Sequence, residues 1–389
     1  MDFYNKSILL VLHQGALGGA ERQGLGLSRM LTEKYNCRVN LLLTYSEKTT
    51  VEFEKFSQEC HIENIIFVER PYLICKYEIS WMNLKRFIWS VKYLLKLKKS
   101  LSQYQPDIII PFLNFPSKVS YYLYMLLPEV SVTFWHQLGF DTNSRDIFER
   151  IAAKNTPFVI SNAPNGLEMF RKIYKRPESK LNVLPQYVSL DYAKMNREAL
   201  KNKFQIPHDH LVIGMIAHYR EEKYHDLLLG SFIKLNNSFK KICLVFLGNR
   251  DNTPATIAKF DSLAEKIEKF NFKKKIRLLH NEDVKEVLNV MDIGVLVSRI
   301  EGTPNAVMEY MLYGLPVICT AHPGCELLLK GSSFLIKNDP DQLTDSLEKL
   351  IISDSLRREE GLKNKERIRA YNRENYMDKL NEIINKYQK

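Results

Sequence analysis

Glu301 and Glu309 stand with seven residues between them in the stretch IGVLVSRIEGTPNAVMEYMLYGLPVICT, residues 293–320. The apolar run Ile293–Val297 reads as a buried strand that ends in a polar loop. A helix is expected to begin at Thr303–Pro304, since threonine is a good N-cap and proline is favoured at the first helical position. Gly314 suits the end of that helix, and Leu315–Pro316 lead into the next strand. The unpaired N–H groups of the helix start, with the positive end of its dipole, make an anion site. Glu301, just before the helix, can accept hydrogen bonds from sugar hydroxyls. Glu309, among Val307, Met308, Tyr310 and Met311, needs a partner for a carboxylate in apolar surroundings, and a ribose diol would supply one. On residue types alone, a loop charge and a surface residue of an amphipathic helix describe the two carboxylates equally well.

Other clusters also carry chemistry. Gly18-Gly19-Ala20-Glu21-Arg22 follows the apolar run Ile8–His13 and opens a helical pattern. Paired glycines let backbone approach a ligand closely and can form an anion-binding turn, although a plain strand–helix turn has the same composition. The run IGMIAHYREEKYHDLLL, residues 213–229, places His218, Arg220 and Lys223 just past a strand. Lysine serves phosphate as a point charge and arginine binds it bidentately, while Glu221 and Glu222 fit a solvated charge cluster. His136 closes the run Ser131–His136, where a lone histidine is more often structural than catalytic.

The elements that must position these residues are short apolar runs alternating with longer helical patterns, as in βαβ units with parallel sheets. Strands are expected at Ile8–His13, Arg38–Thr44, Asn64–Val68, Asp107–Phe112, Ser131–His136, Phe158–Ser161 and Asn182–Leu184. The pattern restarts at Val212–Ala217 and continues with Ile242–Gly248, Ile276–His280, Ile293–Ser298, Pro316–Thr320 and Phe334–Ile336. Two successive runs imply an α/β chain of two Rossmann-like domains with a cleft between them, and such sheets bind ligands at the carboxyl ends of their strands. With the boundary between Pro185 and Ile206, the domains are 1–190 and 191–369. A charged helix over about 370–389 is expected to pack back on the first.

The 293–320 stretch resembles the signature of glycosyltransferase family 4. There a loop E-G-x-P or E-G-F precedes a helix bearing a second Glu, followed by G-x-P-V and a small-residue turn. Ser298, Glu301, Gly302, Pro304, Glu309, Gly314, Pro316 and Val317 fall in place, and a weaker likeness covers nearly the whole chain. The resemblance implies the GT-B fold and a retaining transferase whose first Glu and following backbone hold the donor sugar and whose second Glu holds the ribose. Those roles fall to Glu301, Gly302, Thr303, Pro304, Asn305 and Glu309. It further implies that Gly18 and Gly19 line the cleft near the diphosphate and acceptor, and that His136 faces the donor sugar. The family's Arg and Lys for the diphosphate correspond to His218 and Lys223. Histidine departs from the pattern, and Arg220 is expected to take over. Gly324-Cys325-Glu326 is similar to the family's G-G-x-x-E turn, shortened and with one glycine missing, which makes Glu326 structural or a support behind the site residues. Pro185-Gln186-Tyr187-Val188 stands where the family reads P-N-G-V.

A chain of 389 residues exceeds one core, and 45% hydrophobic with 26% charged residues is ordinary for a soluble protein. No run approaches the roughly 20 apolar residues of a membrane span. The start passes directly into a strand-like run, so a cytoplasmic protein is expected. The six cysteines are scattered without metal-ligand spacing, which argues against zinc or a disulfide framework. The formal charge is +11, a balance that attracts nucleic acid, anionic lipid or phosphorylated substrates, and no nucleic-acid motif accompanies it.

Trp81–Leu101 repeats apolar residues at helical spacing (Leu84, Phe87, Ile88, Val91, Leu94, Leu95) beside six basic residues and no acidic one. The apolar stripe is expected to be core, and the basic and aromatic surplus to meet an anionic membrane face. Phe112–Lys118 could line an acceptor pocket or simply pack. Joined to these features, the resemblance implies transfer of a hexose or N-acetylhexosamine from a nucleotide diphosphate sugar, UDP-linked, to a glycan or lipid-linked oligosaccharide of a bacterial surface polysaccharide. The place would be the inner face of the cytoplasmic membrane, with neither metal nor other cofactor. A sugar-nucleotide epimerase or hydrolase of the same fold is the alternative enzyme. A non-catalytic scaffold of a polysaccharide assembly complex is the alternative without chemistry.

Overall fold

The computed structural model describes residues 3–68, 72–138, 146–250 and 253–387. The chain divides into two compact units, Met1–Ser189 with Arg373–Lys389, and Leu190–Asn372. Among the described residues the strands are β1 (Ser7–Leu12), β2 (Arg38–Leu43), β3 (Asn64–Phe67), β4 (Ile108–Pro111), β5 (Trp135–Gln137), β6 (Val159–Ser161) and β7 (Leu181–Val183) in the first unit. The second unit holds β8 (Leu211–Ile216), β9 (Ile242–Leu247), β10 (Ile276–Leu279), β11 (Ile293–Leu296), β12 (Val317–Thr320) and β13 (Leu335–Ile336). The helices that bear on the site are α1 (Gly19–Tyr35), α2 (Trp81–Leu101), α3 (Asn114–Leu126), α4 (Ile147–Asn155), α5 (His225–Asn236), α6 (Asn305–Leu312), α7 (Pro323–Leu328), α8 (Asp354–Ile368) and α9 (Arg373–Asn385).

In the second unit the sheet runs β10-β9-β8-β11-β12-β13, every neighbouring pair parallel. Renumbered from its first strand this is the 3-2-1-4-5-6 order of a Rossmann sheet, with the reversal between β8 and β11. The first unit repeats the order as β3-β2-β1-β4 followed by β5-β6-β7. A single parallel bridge, Ile108 with Val132, and the bond from Ile109 N to Val132 O at 3.1 Å carry one sheet across to the other.

Strand β1 shows why helices cover both faces. Ile8, Leu10 and Leu12 enter one core with Leu25, Leu31, Met377 and Leu380, bringing in α1 and α9. Leu9 and Val11 enter the other core with Tyr93, Leu94 and Leu97 of α2 and Val119 and Leu123 of α3. An unbroken apolar strand is what burial on both faces requires.

Three expectations change. The Ser131–His136 strand shortens to Trp135–Gln137, so His136 lies in mid-strand, not at its end. The helix expected to start at Thr303–Pro304 starts at Asn305, with Pro304 at the N-cap and no side-chain cap. The α2 stripe expected as core is mostly exposed: Leu84, Phe87, Ile88, Val91 and Leu95 face solvent and only Leu94 is buried. The buried face of α2 instead includes Asn83 and Ser90, whose side chains bond to local backbone, Asn83 Nδ2 to Glu78 O at 2.9 Å and Ser90 Oγ to Arg86 O at 2.8 Å. A polar side chain so satisfied loses its penalty for burial.

Candidate active site

The turn after β8 is held by Tyr219, which is buried and donates its hydroxyl to Leu279 O at 2.5 Å. Its neighbours His218 and Arg220 are exposed. A short turn of helix, Glu221–Lys223, follows, and Tyr224 takes a left-handed backbone (φ 44) that starts α5. Glu222 O accepts from Arg299 N at 2.7 Å, so this turn is fastened to the loop after β11. Glu221, highly exposed, pairs with Lys259 at 2.7 Å, which suits the solvated cluster expected of it.

Across that backbone clasp, Lys223 Nζ meets Glu301 Oε1 at 2.6 Å. Both side chains are largely shielded, at 20% and 11% exposure. Two residues 78 apart in sequence, singled out for phosphate and for sugar, thus form one polar site.

The loop holding Glu301 is built from β11 and β12 together. Ser298 N donates to Thr320 Oγ1 at 3.2 Å, and Ser298 O accepts from His322 Nε2 and Asn338 Nδ2, each at 2.9 Å. Gly324 of α7 lies so close to Gly302 O and Thr303 N that any side chain there would overlap them. Helix α6 is seated by Tyr310, whose ring packs on Gly294 of β11 and whose hydroxyl accepts from Ile216 N at 2.6 Å. Gly314 ends that helix with a positive φ of 68, as expected of it. Thr303 and Pro304 are buried, and Gly302, Asn305 and Glu309 are half-buried. Asn305 Oδ1 and Ser298 Oγ are buried without a partner among the described residues, the kind of atom that a bound polar ligand satisfies.

In the first unit the Gly18–Gly19 turn starts α1, with Gly18 extended at the N-cap. Its anion is Glu21. The carboxylate folds back on Gly18 and takes N–H bonds from Gln14, Gly18 and Glu21, yet burial still raises its pKa. The sequence motif includes Glu21 without giving it a role, although a Glu in a first helical turn is the available signal. His136 is 1% exposed. Its Nδ1 lies 3.0 Å from Pro111 O, so Nδ1 carries the proton and Nε2 is a buried acceptor without a partner among the described residues. Burial holds its pKa down to about 4, so the ring is neutral near pH 7.

Phe112, Ser117 and Lys118 pack into the unit. Lys118 forms a buried ion pair with Asp146 at 2.7 Å and donates to Leu73 O at 2.7 Å, which leaves it no part in an open pocket. Glu326 is exposed on α7. All six cysteines are buried and free.

Residues 196–374 match the family model of glycosyl transferases group 1, and the chain has the GT-B fold of glycosyltransferases. A structure of Anabaena Alr3699/HepE with UDP and glucose is similar at a TM-score of 0.75 and 14% identity, over 98% of this chain and 100% of that one. A glycosyltransferase from Rickettsia africae gives 0.79 and 16%, over 98% of each chain. The lipopolysaccharide outer core galactosyltransferase WaaB gives 0.65 and 14%, over 98% and 99%. No curated protein matches the sequence.

Proposed function

We propose that the protein is a retaining glycosyltransferase of family 4. It transfers a hexose or N-acetylhexosamine from a UDP-sugar to a hydroxyl of a glycan or lipid-linked oligosaccharide in bacterial surface polysaccharide synthesis, at the inner face of the cytoplasmic membrane. The observation that carries this reading is the Lys223–Glu301 pair at 2.6 Å beside the start of α6. One member is suited to a phosphate and the other to a sugar hydroxyl, as a nucleotide diphosphate sugar demands. The structure of Alr3699/HepE with UDP-glucose supports a UDP-linked donor for a protein of this fold.

In this reading the acceptor oxygen bonds to the anomeric carbon as the bond to the diphosphate breaks. The acceptor's proton passes to the departing diphosphate. Lys223, the exposed Arg220 or His218, and the N–H groups at the start of α6 stabilise the charge that develops, without a metal. Positive groups held in place before the reaction usually contribute most to such catalysis. Glu301 and the backbone of Gly302 and Thr303 hold the sugar, Glu309 the ribose, and His136 serves as a neutral acceptor.

The test is transfer from UDP-sugars by the intact protein and by Lys223→Ala and Glu301→Ala. Loss of transfer in both, with the fold kept, supports the reading, and full activity in both overturns it. Release of UDP with no acceptor present would favour the epimerase or hydrolase. Failure to bind any nucleoside diphosphate by calorimetry would favour the scaffold.

A further inference from the structure

Helix α2 presents two ridges to solvent. Leu84, Ile88, Val91 and Leu95 follow one another at steps of four, three and four, and all are exposed. Residues so spaced lie on one helical face. Beside them Lys85, Trp89, Lys92, Lys96 and Lys99 form the second ridge at steps of four, three, four and three. The 21 residues of α2 contain no acid, and nearby Glu78 is paired with Arg86 at 3.4 Å. At the start of the helix Trp81 is 70% exposed, with Lys85 5.6 Å above its ring. Ile79, fully exposed, joins Trp81, Leu84 and Phe87 around an apolar hollow of about 470 Å³.

We propose that this face of α2, with the Ile79–Trp81 turn, is the surface by which the protein docks on an anionic phospholipid bilayer. The apolar ridge and the two tryptophans enter the headgroup region while the lysines meet lipid phosphates. An apolar face bordered by lysine, with tryptophan at the boundary, is the make-up of a helix lying in a membrane interface. Among the described residues no helix is long and apolar enough to cross a membrane, so the contact is peripheral. A second copy of the chain fits the face poorly, since a two-fold contact sets the same cations against each other. The proposal stands on the first unit alone and does not depend on the transferase reading.

The experiment is co-sedimentation with vesicles of phosphatidylcholine, and with vesicles of equal parts phosphatidylcholine and phosphatidylglycerol, at low and high salt. The unmodified protein is expected to sediment with the anionic vesicles only, and less at high salt. Lys92→Glu/Lys96→Glu/Lys99→Glu should weaken binding roughly a hundredfold or more. Leu84→Ser/Ile88→Ser/Leu95→Ser should lose it at low salt too, and both sets replace exposed residues, with UDP binding and thermal unfolding as the checks of fold.

Because Trp135 is buried and the chain has three tryptophans, a blue shift on adding anionic vesicles reports Trp81 and Trp89. It should vanish in Trp81→Phe/Trp89→Phe. Equal sedimentation with both vesicle types, no blue shift, or binding unchanged in the variants overturns the proposal. So does light scattering that shows a dimer which the serine variant dissolves.

Discussion

If a nucleoside diphosphate binds as proposed, the Lys223–Glu301 pair makes opposite demands on its members. Lys223 has to exchange a carboxylate at 2.6 Å for phosphate oxygens, while Glu301 has to release its cation and accept from hydroxyls. Removing Lys223 leaves phosphate without that charge. A hydrogen bond to a charged group contributes about 1.5–3 kcal/mol, so Lys223→Ala should weaken UDP binding roughly ten- to hundredfold. Glu301→Gln, by contrast, frees the lysine. It should bind UDP at least as tightly as the unmodified protein while losing transfer, which calorimetry and a transfer assay together would show. Equal loss of UDP binding in both variants would mean that the pair only holds two loops together. The residue types around Glu301 and Lys223, and a place for Lys223 opposite the carboxylates, were readable from sequence, but their direct contact was not, because it depends on the clasp between Glu222 O and Arg299 N. The role of Glu21 was hidden for a similar reason: its three backbone donors converge only once the turn is folded.

Loops of this kind are only as well placed as the elements that brace them, and Gly324 is where α7 braces the Glu301 loop. A methyl at that position overlaps Gly302 O and Thr303 N, both backbone atoms that cannot swing away. Gly324→Ala should therefore destabilise the second unit by about 1–3 kcal/mol and weaken UDP binding, measured by thermal unfolding and calorimetry. Gly230, inside α5 and exposed, has nothing within 4 Å of the place a methyl would take. There alanine should stabilise by about 0.5–1 kcal/mol. A Gly324→Ala protein as stable as Gly230→Ala would remove the bracing role. Element positions were well marked in the sequence, because strands buried on both faces leave long apolar runs such as Ile8–Leu12. Their ends were less so. Among the described residues, 131–134 form one isolated β-bridge with β4, Ile108 with Val132, and a strand's end depends on such a partner elsewhere in the chain. The facing of α2 was misread for a different reason. Periodicity marks that a helix has an apolar side, whereas the side that packs was decided by Tyr93, Leu94 and Leu97 together with the satisfied Asn83 and Ser90.

At the scale of the whole molecule each unit buries one histidine in its core, His136 in the first and His225 in the second. Burial lowers the pKa of both from 6.5 to about 4, with the Lys259 ammonium adding to the effect at His225. The unfolded chain then takes up protons below pH 6.5 that the folded chain refuses until about pH 4. Stability is complete above 6.5, falls as pH drops through this window, and levels off below it. Each histidine contributes a slope of about 1.4 kcal/mol per pH unit. Asp226, held below its ordinary value by Lys259 and Lys266 despite its burial, adds to the loss only at lower pH. Glu21 acts in the opposite sense, because its raised pKa favours the folded state as it protonates. The first unit also carries His13, whose pKa burial lowers, so Glu21 there offsets part of what two histidines contribute. Two units need not unfold together, so thermal scans from pH 7.5 to 4.5 should resolve two transitions, both moving to lower temperature as the pH falls. His225→Phe, beside Tyr219 and Phe246, should flatten the second unit's pH dependence and leave the first unchanged. A single transition with the same slope in this variant would show that His225 does not set the acid sensitivity of its unit.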